Sequence, residues 1–173
     1  IKKFNEQFSV YSSISEGFSA PTLAEVLPST SILNTTLNPE KGTSVEVGVR
    51  AELFSKQIRL NIAAYNFKLR ETIVVRKNDN DQDYFINAGK TSQKGIEATA
   101  SWTPKLADDN FELLRVWVSY TYNNYHFLDY RNGATDLSGN RMTGVPPTVV
   151  VSGIDLVTKS GWVWNLSVNY TDH

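Results

Sequence analysis

Cysteine is absent from the 173 residues, and histidine (2) and methionine (1) nearly so. A disulfide, a thiolate metal site and a cysteine nucleophile are therefore impossible, and histidine chemistry is confined to His126 and His173. Long apolar runs are missing too. The aliphatic stretches are as short as Val149–Val151, far below the roughly 20 residues of a membrane-spanning helix. Charge of one sign is also lacking, because 17 Lys and Arg stand against 18 Asp and Glu. No global field draws the chain to nucleic acid, which is not expected as a partner. None of these absences excludes a membrane β-barrel, whose hydrophobicity sits in every second residue and averages out as polar. The mean hydropathy of −0.31 fits that pattern.

What is present is alternation. In Thr43 to Leu53, Val45, Val47, Val49, Ala51 and Leu53 fall on one face and Glu46, Gly48, Arg50 and Glu52 on the other, the period of two that defines a strand. The pattern recurs in Ile58 to Leu69, Ile96 to Trp102, Phe111 to Asn124 and Trp162 to Tyr170. Phe8 to Ser15 and Val149 to Val157 read as two further strands, the second of unclear phase. Between Ile62 and Tyr65 the apolar set changes parity, which predicts a β-bulge near Ala63–Ala64.

The seven strands are joined by connections that alternate in length. Long segments (Gly17 to Gly42, Arg76 to Gln93, Tyr125 to Pro147) take turns with short ones (Phe54 to Gln57, Pro104 to Asn110, Lys159 to Gly161). Outer-membrane barrels have short periplasmic turns and longer extracellular loops. The expected fold is an all-β, antiparallel up-and-down transmembrane β-barrel, present as a partial barrel of about seven strands. Its Val face would meet lipid and its Glu/Arg face a wet or protein-filled lumen. Trp102, Phe111, Tyr122, Trp162 and Tyr170, near strand ends, would form interfacial girdles. The alternative in a different class is a soluble β-sandwich binding module, which would bury the same Val face between two sheets.

Several motifs carry a family likeness. "YSSISEGFSAPTLAEV" (Tyr11 to Val26) resembles the Gly-Phe-x-Ala-Pro-Thr/Ser strand end of TonB-dependent outer-membrane receptors. "LNPEKGTSVEVGVRAEL", "IRLNIAAYNFKLRETIV", "INAGKTSQKGIEATASW" and "NRMTGVPPTVVVSGIDL" follow in the order that family's barrel keeps. The resemblance implies that residues 1–173 are a fragment of a receptor barrel in the bacterial outer membrane. A plugged transporter barrel has about 22 strands, so seven are roughly a third of one. Nothing in the chain resembles the plug domain. The last residues, Asn169 to His173, lack the terminal aromatic of such barrels. The implied partners are the lipid bilayer, the plug of the same parent chain, TonB acting through that chain, and a scarce large solute. A ferric siderophore leads the candidates, and glycan, cobalamin and peptide importers share the barrel. No cofactor and no enzymatic activity are implied.

Candidate ligand-binding residues are Arg70 and Arg76 near the outer end of the third strand, and Tyr122, Tyr125 and Tyr130 in the aromatic run that also holds Tyr120, His126 and Phe127. The arginines suit an anionic chelate. "DNDQD" (Asp79 to Asp83) begins like a calcium loop, but its sixth position is Tyr84 and its twelfth Lys90, where Gly and Glu are needed, so a solvated loop is expected. Ser119 and His126 have opposite strand parity and cannot form a catalytic pair. The outermost strands, Phe8 to Ser15 and Trp162 to Tyr170, are expected to be unpaired edges, so that the isolated chain would associate or require detergent.

Overall fold

The computed structural model describes residues 1–28, 32–87, 89–107, 110–132 and 135–172; His173 lies outside them. In chain order the elements are β1 (Lys2–Lys3), β2 (Phe8–Ser19), the short helix α1 (Leu23–Val26), β3 (Glu40–Leu53), β4 (Ile58–Arg70), β5 (Ile73–Lys77) and β6 (Asp83–Asn87). They continue with β7 (Lys90–Trp102), β8 (Phe111–Asp129), β9 (Arg131–Asn132), β10 (Thr135–Asp136), β11 (Thr148–Thr158) and β12 (Val163–Thr171). One antiparallel sheet runs in the order β1-β2-β3-β4-β7-β8-β11-β12, and β5/β6 and β9/β10 form separate two-stranded ribbons beyond it. The seven predicted strands are the seven long members of that sheet.

Register assigns every side chain to a face. Val47 is opposite Ala64, Ala64 opposite Ile96, Ile96 opposite Tyr122 and Tyr122 opposite Thr148, so these share one side. The same side carries Ile14, Val45, Ile62, Ile154, Trp164, Leu166 and Val168, all exposed. The other side holds Glu46, Arg50, Asn61, Glu97, Arg115 and Asp155 among small residues, and includes the buried Gly48, Ala63, Gly95 and Gly153. Among the described residues no second layer covers the aliphatic side, where Val47 is 51% and Leu166 69% exposed. A sandwich would have buried those residues. A barrel wall leaves them for lipid.

Aromatic rings on the polar face lie across glycines of the neighbouring strand. Tyr11 covers Gly48, Tyr65 covers Gly95, and Trp117 covers Gly153, where an added Cβ would stand 2.7 Å from the indole. Tyr11 is capped in turn by the Arg50 guanidinium, 4.6 Å from its ring centroid. A side chain larger than hydrogen at these glycines would displace the ring that shapes the lumenal surface.

Three expectations need correction. There is no bulge at Ala63–Ala64, because β4 pairs without interruption with both β3 and β7. The register shifts fall instead between Lys90 and Thr91 opposite β8 and between Val157 and Thr158. The segment from Arg76 to Gln93 is not plain loop: it closes the β5/β6 ribbon, turning through Asn78 to Gln82, and starts β7. Asp81 in that turn is paired to Lys77 at 2.8 Å, and the Asn78 carboxamide accepts from the backbone of Asn80 and Gln82, so the turn is self-satisfied. Finally, β2 is not wholly an unpaired edge, since Lys2 and Lys3 pair with Val10 and Ser9.

The short turns are bound to one another. Gln57 accepts from Thr103 N through its backbone carbonyl (2.7 Å) and from Lys105 N through its side chain (3.3 Å). Phe54, Ser55 and Lys56 all take left-handed φ values (52°, 55° and 69°), which non-glycine residues adopt at a cost.

Candidate functional site: the mouth above the apolar belt

The parity change read from sequence in β4 marks a boundary. Going toward the long loops, the outward residues of β4 pass from Ile58, Leu60, Ile62 and Ala64 to Asn66, Lys68 and Arg70, and the inward ones from Arg59, Asn61 and Ala63 to Tyr65, Phe67 and Leu69. β7 and β8 change in the same cross-strand row, and β3 changes one row higher, after Val45. Outward residues of β7 go from Ile96 to Lys94, and those of β8 from Tyr122 to Asn124. A continuous strand whose two faces exchange polarity at one level is crossing from hydrocarbon into water. The outward apolar run of β3 goes from Val45 to Leu53, nine residues that at about 3.3 Å each and a tilt of roughly 40° make about 23 Å. A barrel's apolar band is about 25 Å tall.

Above the belt the inward face is aromatic. The Tyr65 and Tyr125 hydroxyls are 2.7 Å apart, Tyr65 also donates to the Asn123 carboxamide at 3.1 Å, and the two rings meet edge-on with centroids at 6.5 Å. Asn123 is fixed by the Gly-x-Pro return: its backbone N–H donates to Pro147 O (2.8 Å) and its side-chain NH₂ to Pro146 O (3.0 Å). Phe127, inward on the same strand, stacks on Tyr130 at 4.6 Å. The Arg76 guanidinium donates to the Tyr130 hydroxyl (3.0 Å) and to Arg131 O (2.8 Å), and lies 5.1 Å from the Tyr130 ring centroid.

The β5/β6 ribbon is held over this mouth by residues of two sequence motifs. Asn38 N donates to Asn87 Oδ1 at 2.7 Å, and Asn87 Nδ2 donates back to Asn38 O at 2.8 Å and to Glu71 O at 2.7 Å. The carboxylate of Glu40 accepts from Ile73 N at 2.8 Å. The Asn-Pro-Glu and Ile-Asn-Ala-Gly segments, 49 residues apart, thus clasp each other. Asn34 adds a bond to Phe85 O at 2.8 Å.

Below the mouth, the inward face forms a polar trough of about 460 Å³, lined among others by Arg50, Glu52, Arg59, Asn61, Thr99 and Trp117. Asn61 Oδ1 is buried there without a hydrogen-bond partner among the described residues. Nearby, Asp155 accepts from Arg115 Nε (2.7 Å) and, through its other oxygen, from the Asn165 side chain (2.7 Å), tying β8, β11 and β12 together.

The structure divides the predicted ligand residues. Tyr125, Tyr130 and Arg76 gather at the mouth with Phe127, whereas Tyr122 and Arg70 point outward, Tyr122 in the last row of the belt and Arg70 opposite Lys41 and Lys90. Strand parity, with an odd offset separating Tyr122 from Tyr125, is the reason. Sequence reasoning missed Tyr65, Phe67, Asn87 and Glu40; the reversal of polarity in β4 was the signal that marked the first two. Ser119 faces inward and His126 outward.

The comparisons agree with this geometry. In solved structures the fold recurs in the copper transporter OprC (TM-score 0.69, 14% identity), covering 97% of this chain and 24% of that one. It recurs in BauA, the ferric preacinetobactin receptor from Acinetobacter baumannii (0.66, 18%, 98% and 24%), and in the FrpB iron transporter from Neisseria meningitidis (0.64, 13%, 98% and 24%). The chain thus spans about a quarter of the length of these proteins. No curated protein matches it by sequence. The pattern of the family described as TonB dependent receptor-like, beta-barrel, a family of transporters and receptors and not of enzymes, matches residues 2–173, and the chain belongs to that family.

Proposed function

We propose that this chain is a section of wall and mouth of an outer-membrane active importer that takes up a ferric siderophore with energy transmitted by TonB. On this reading residues 1–173 are a fragment of the barrel domain. The long connections face the cell exterior and the short turns the periplasm. The polar trough, with its unpartnered Asn61 carbonyl, faces the plug domain of the same parent chain. The observation that carries the reading is the exchange of polarity at the belt's upper edge. It brings Tyr65, Phe67, Tyr125 and Phe127 to the inward face at the end where a solute from outside would arrive, and the Arg76 guanidinium stands beside them on Tyr130. Tyr125 and Tyr130 offer ring faces and hydroxyls to a large chelate, and Arg76, oriented by Tyr130, offers its remaining N–H groups to an anionic one. The described names of fold relatives, a copper transporter, an iron transporter and siderophore receptors, support a metal-bearing solute.

The test is binding by the receptor that carries this sequence, purified in detergent and titrated with a panel of ferric hydroxamate, catecholate and carboxylate chelates, with cyanocobalamin and a linear oligosaccharide alongside. One class of ferric chelate should quench tryptophan fluorescence saturably, and Tyr125→Ala with Arg76→Gln should weaken it at least about tenfold, on the order of two lost polar contacts. Saturable binding of cobalamin or glycan with none of any ferric chelate would overturn the assignment of solute. Orientation is checked separately: a cysteine at Asn80 should react with an impermeant maleimide on intact cells, and one at Ala107 should not.

A further inference from the structure

The hydrogen positions at the mouth are set by a chain of bonds with one fixed end. Asn123 donates its side-chain NH₂ to Pro146 O at 3.0 Å, and a carbonyl can only accept, so the amide is oriented with Oδ1 toward Tyr65. Tyr65 Oη stands 3.1 Å from that oxygen and 2.7 Å from Tyr125 Oη. A phenol has one proton to give. Were Tyr65 to give it to Tyr125, two oxygens would face each other at 3.1 Å with no hydrogen between them, since no other described donor reaches Asn123 Oδ1. Tyr65 therefore donates to Asn123, and Tyr125 donates to Tyr65. Tyr125 is left with lone pairs alone to offer the mouth. Tyr130 is the reverse case. Its oxygen accepts from Arg76 Nη1 at 3.0 Å, so its own proton is free, and it meets no acceptor among the described residues.

From these bonds we infer that the mouth is polarised, an acceptor at Tyr125 and a donor beside a cation at Tyr130, and that it selects a ferric chelate on a peptide-like scaffold. The choice of a chelate rests on the uptake reading above; the polarity rests on the hydrogen bonds alone. Phe127 separates the two ends, two residues beyond Tyr125 on the inward face and stacked on Tyr130 at 4.6 Å. At about 3.3 Å per residue the ends are roughly 7–11 Å apart. A peptide carries an N–H and a C=O at every residue and extends about 3.3–3.6 Å for each, so two or three residues place an N–H or ammonium on Tyr125 and a carbonyl or carboxylate oxygen on Tyr130 and Arg76. A chelate whose rim is carboxylate throughout satisfies the second end and sets lone pair against lone pair at the first. Tyr65, Tyr125 and Tyr130 are all half-buried, so water makes good a mismatched partner only in part.

The experiment titrates the receptor carrying this sequence, in detergent, with three probes. The first is the ferric complex of a tripeptide whose side chains end in hydroxamates. The second is the same complex with both backbone amides methylated and the terminal amine quaternised, which keeps the charge and removes every N–H. The third is ferric citrate. Wild type should bind the first peptide at least about tenfold tighter than the methylated one, and Tyr125→Phe should shrink that ratio to within about threefold. Tyr65→Phe releases the Tyr125 proton to the mouth, so it should bind ferric citrate tighter than wild type does, a reversal that mere loosening of the site would not produce. Neutron diffraction from receptor crystals grown in D₂O reads the polarity without any ligand: a deuteron on Tyr65 Oη directed at Asn123, and one on Tyr125 Oη directed at Tyr65. A Tyr125 deuteron aimed into the mouth, equal affinity for the two peptides, or weaker binding of all three probes by Tyr65→Phe overturns the inference. Saturable binding of ferric citrate with neither peptide bound also overturns it and leaves ferric-chelate uptake standing. Binding of no chelate defeats the uptake reading, and with it the selection of a peptide chelate, whereas the polarity then stands or falls on the deuterons.

Discussion

The two ends of this sheet are built from the same strands and obey opposite rules. Toward the short turns, aliphatics point out and polar groups in; toward the long loops, lysines point out and tyrosines in. A side chain's preferred face is therefore set by what the wall touches at that height and not by the strand. Below the boundary the outward neighbour is hydrocarbon. Above it the outward neighbour is water or head groups, and the inward one a cavity that can shelter rings.

The largest effect expected from breaking this contrast is at Val49, the middle of the outward run Val45 to Leu53. Val49→Arg should cost about 2–4 kcal/mol and impair assembly in a heat-modifiability gel, whereas Thr43→Arg, on the same face of the same strand nearer the long loops, should assemble normally. Equal behaviour of the pair would remove the boundary. Next is the clasp at the loop end. Asn87→Ala deletes three hydrogen bonds of about 1 kcal/mol each, so hydrogen exchange in β5 and β6 should accelerate by roughly a hundredfold while the belt strands keep their protection. Protection unchanged in β5 and β6 would mean the ribbon is held by something other than this clasp. A smaller change is expected from Tyr65→Phe, which removes the hydroxyl's bonds to Tyr125 and Asn123 at about 1 kcal/mol each and should lower the unfolding midpoint in a urea titration. The smallest concerns the exposed β9/β10 ribbon. Two hydrogen bonds from Ser138, and secondarily Arg131, hold the Asp136 carboxyl below its ordinary 3.8. A carboxyl lowered on folding contributes stability above the unfolded value and loses it as pH falls through the folded one. Local order at Ser138 should therefore fade only below pH 3.8 in amide spectra, and Asp136→Asn should abolish that pH dependence.

Much of the wall was legible because a period of two is written into it. All seven long strands, their faces and the alternation of connections follow from positions such as Val45 to Leu53 and Ile96 to Trp102, and the phase of β11, ambiguous in the run Val149–Val151, is settled by its neighbours on β8. The mouth was less legible for a physical reason. Hydropathy has a fixed meaning only while the solvent on each face is constant, and in β4 the solvent changes under an unbroken backbone, so the exchange at Ala64–Tyr65 imitates a bulge. The β5/β6 ribbon escaped because five-residue strands around a polar turn look like loop. The Asn38–Asn87 clasp joins residues 49 apart and has no periodic signature. Tyr122 and Tyr125 illustrate the limit of reading aromatics as a cluster, because an offset of three on a strand puts them on opposite sides.

The rings that lie across glycines also give the wall an internal gauge. A proton held against the face of an aromatic ring resonates far upfield of its usual position. The α-protons of Gly48, Gly95 and Gly153, lying beneath Tyr11, Tyr65 and Trp117, should therefore stand apart in a proton spectrum. A slip of one residue in any of these strand pairs would carry the ring to the other face and return its glycine signal to the crowd. Three resolved resonances would thus report the alignment of β2 with β3, β4 with β7 and β8 with β11, without labelling any side chain.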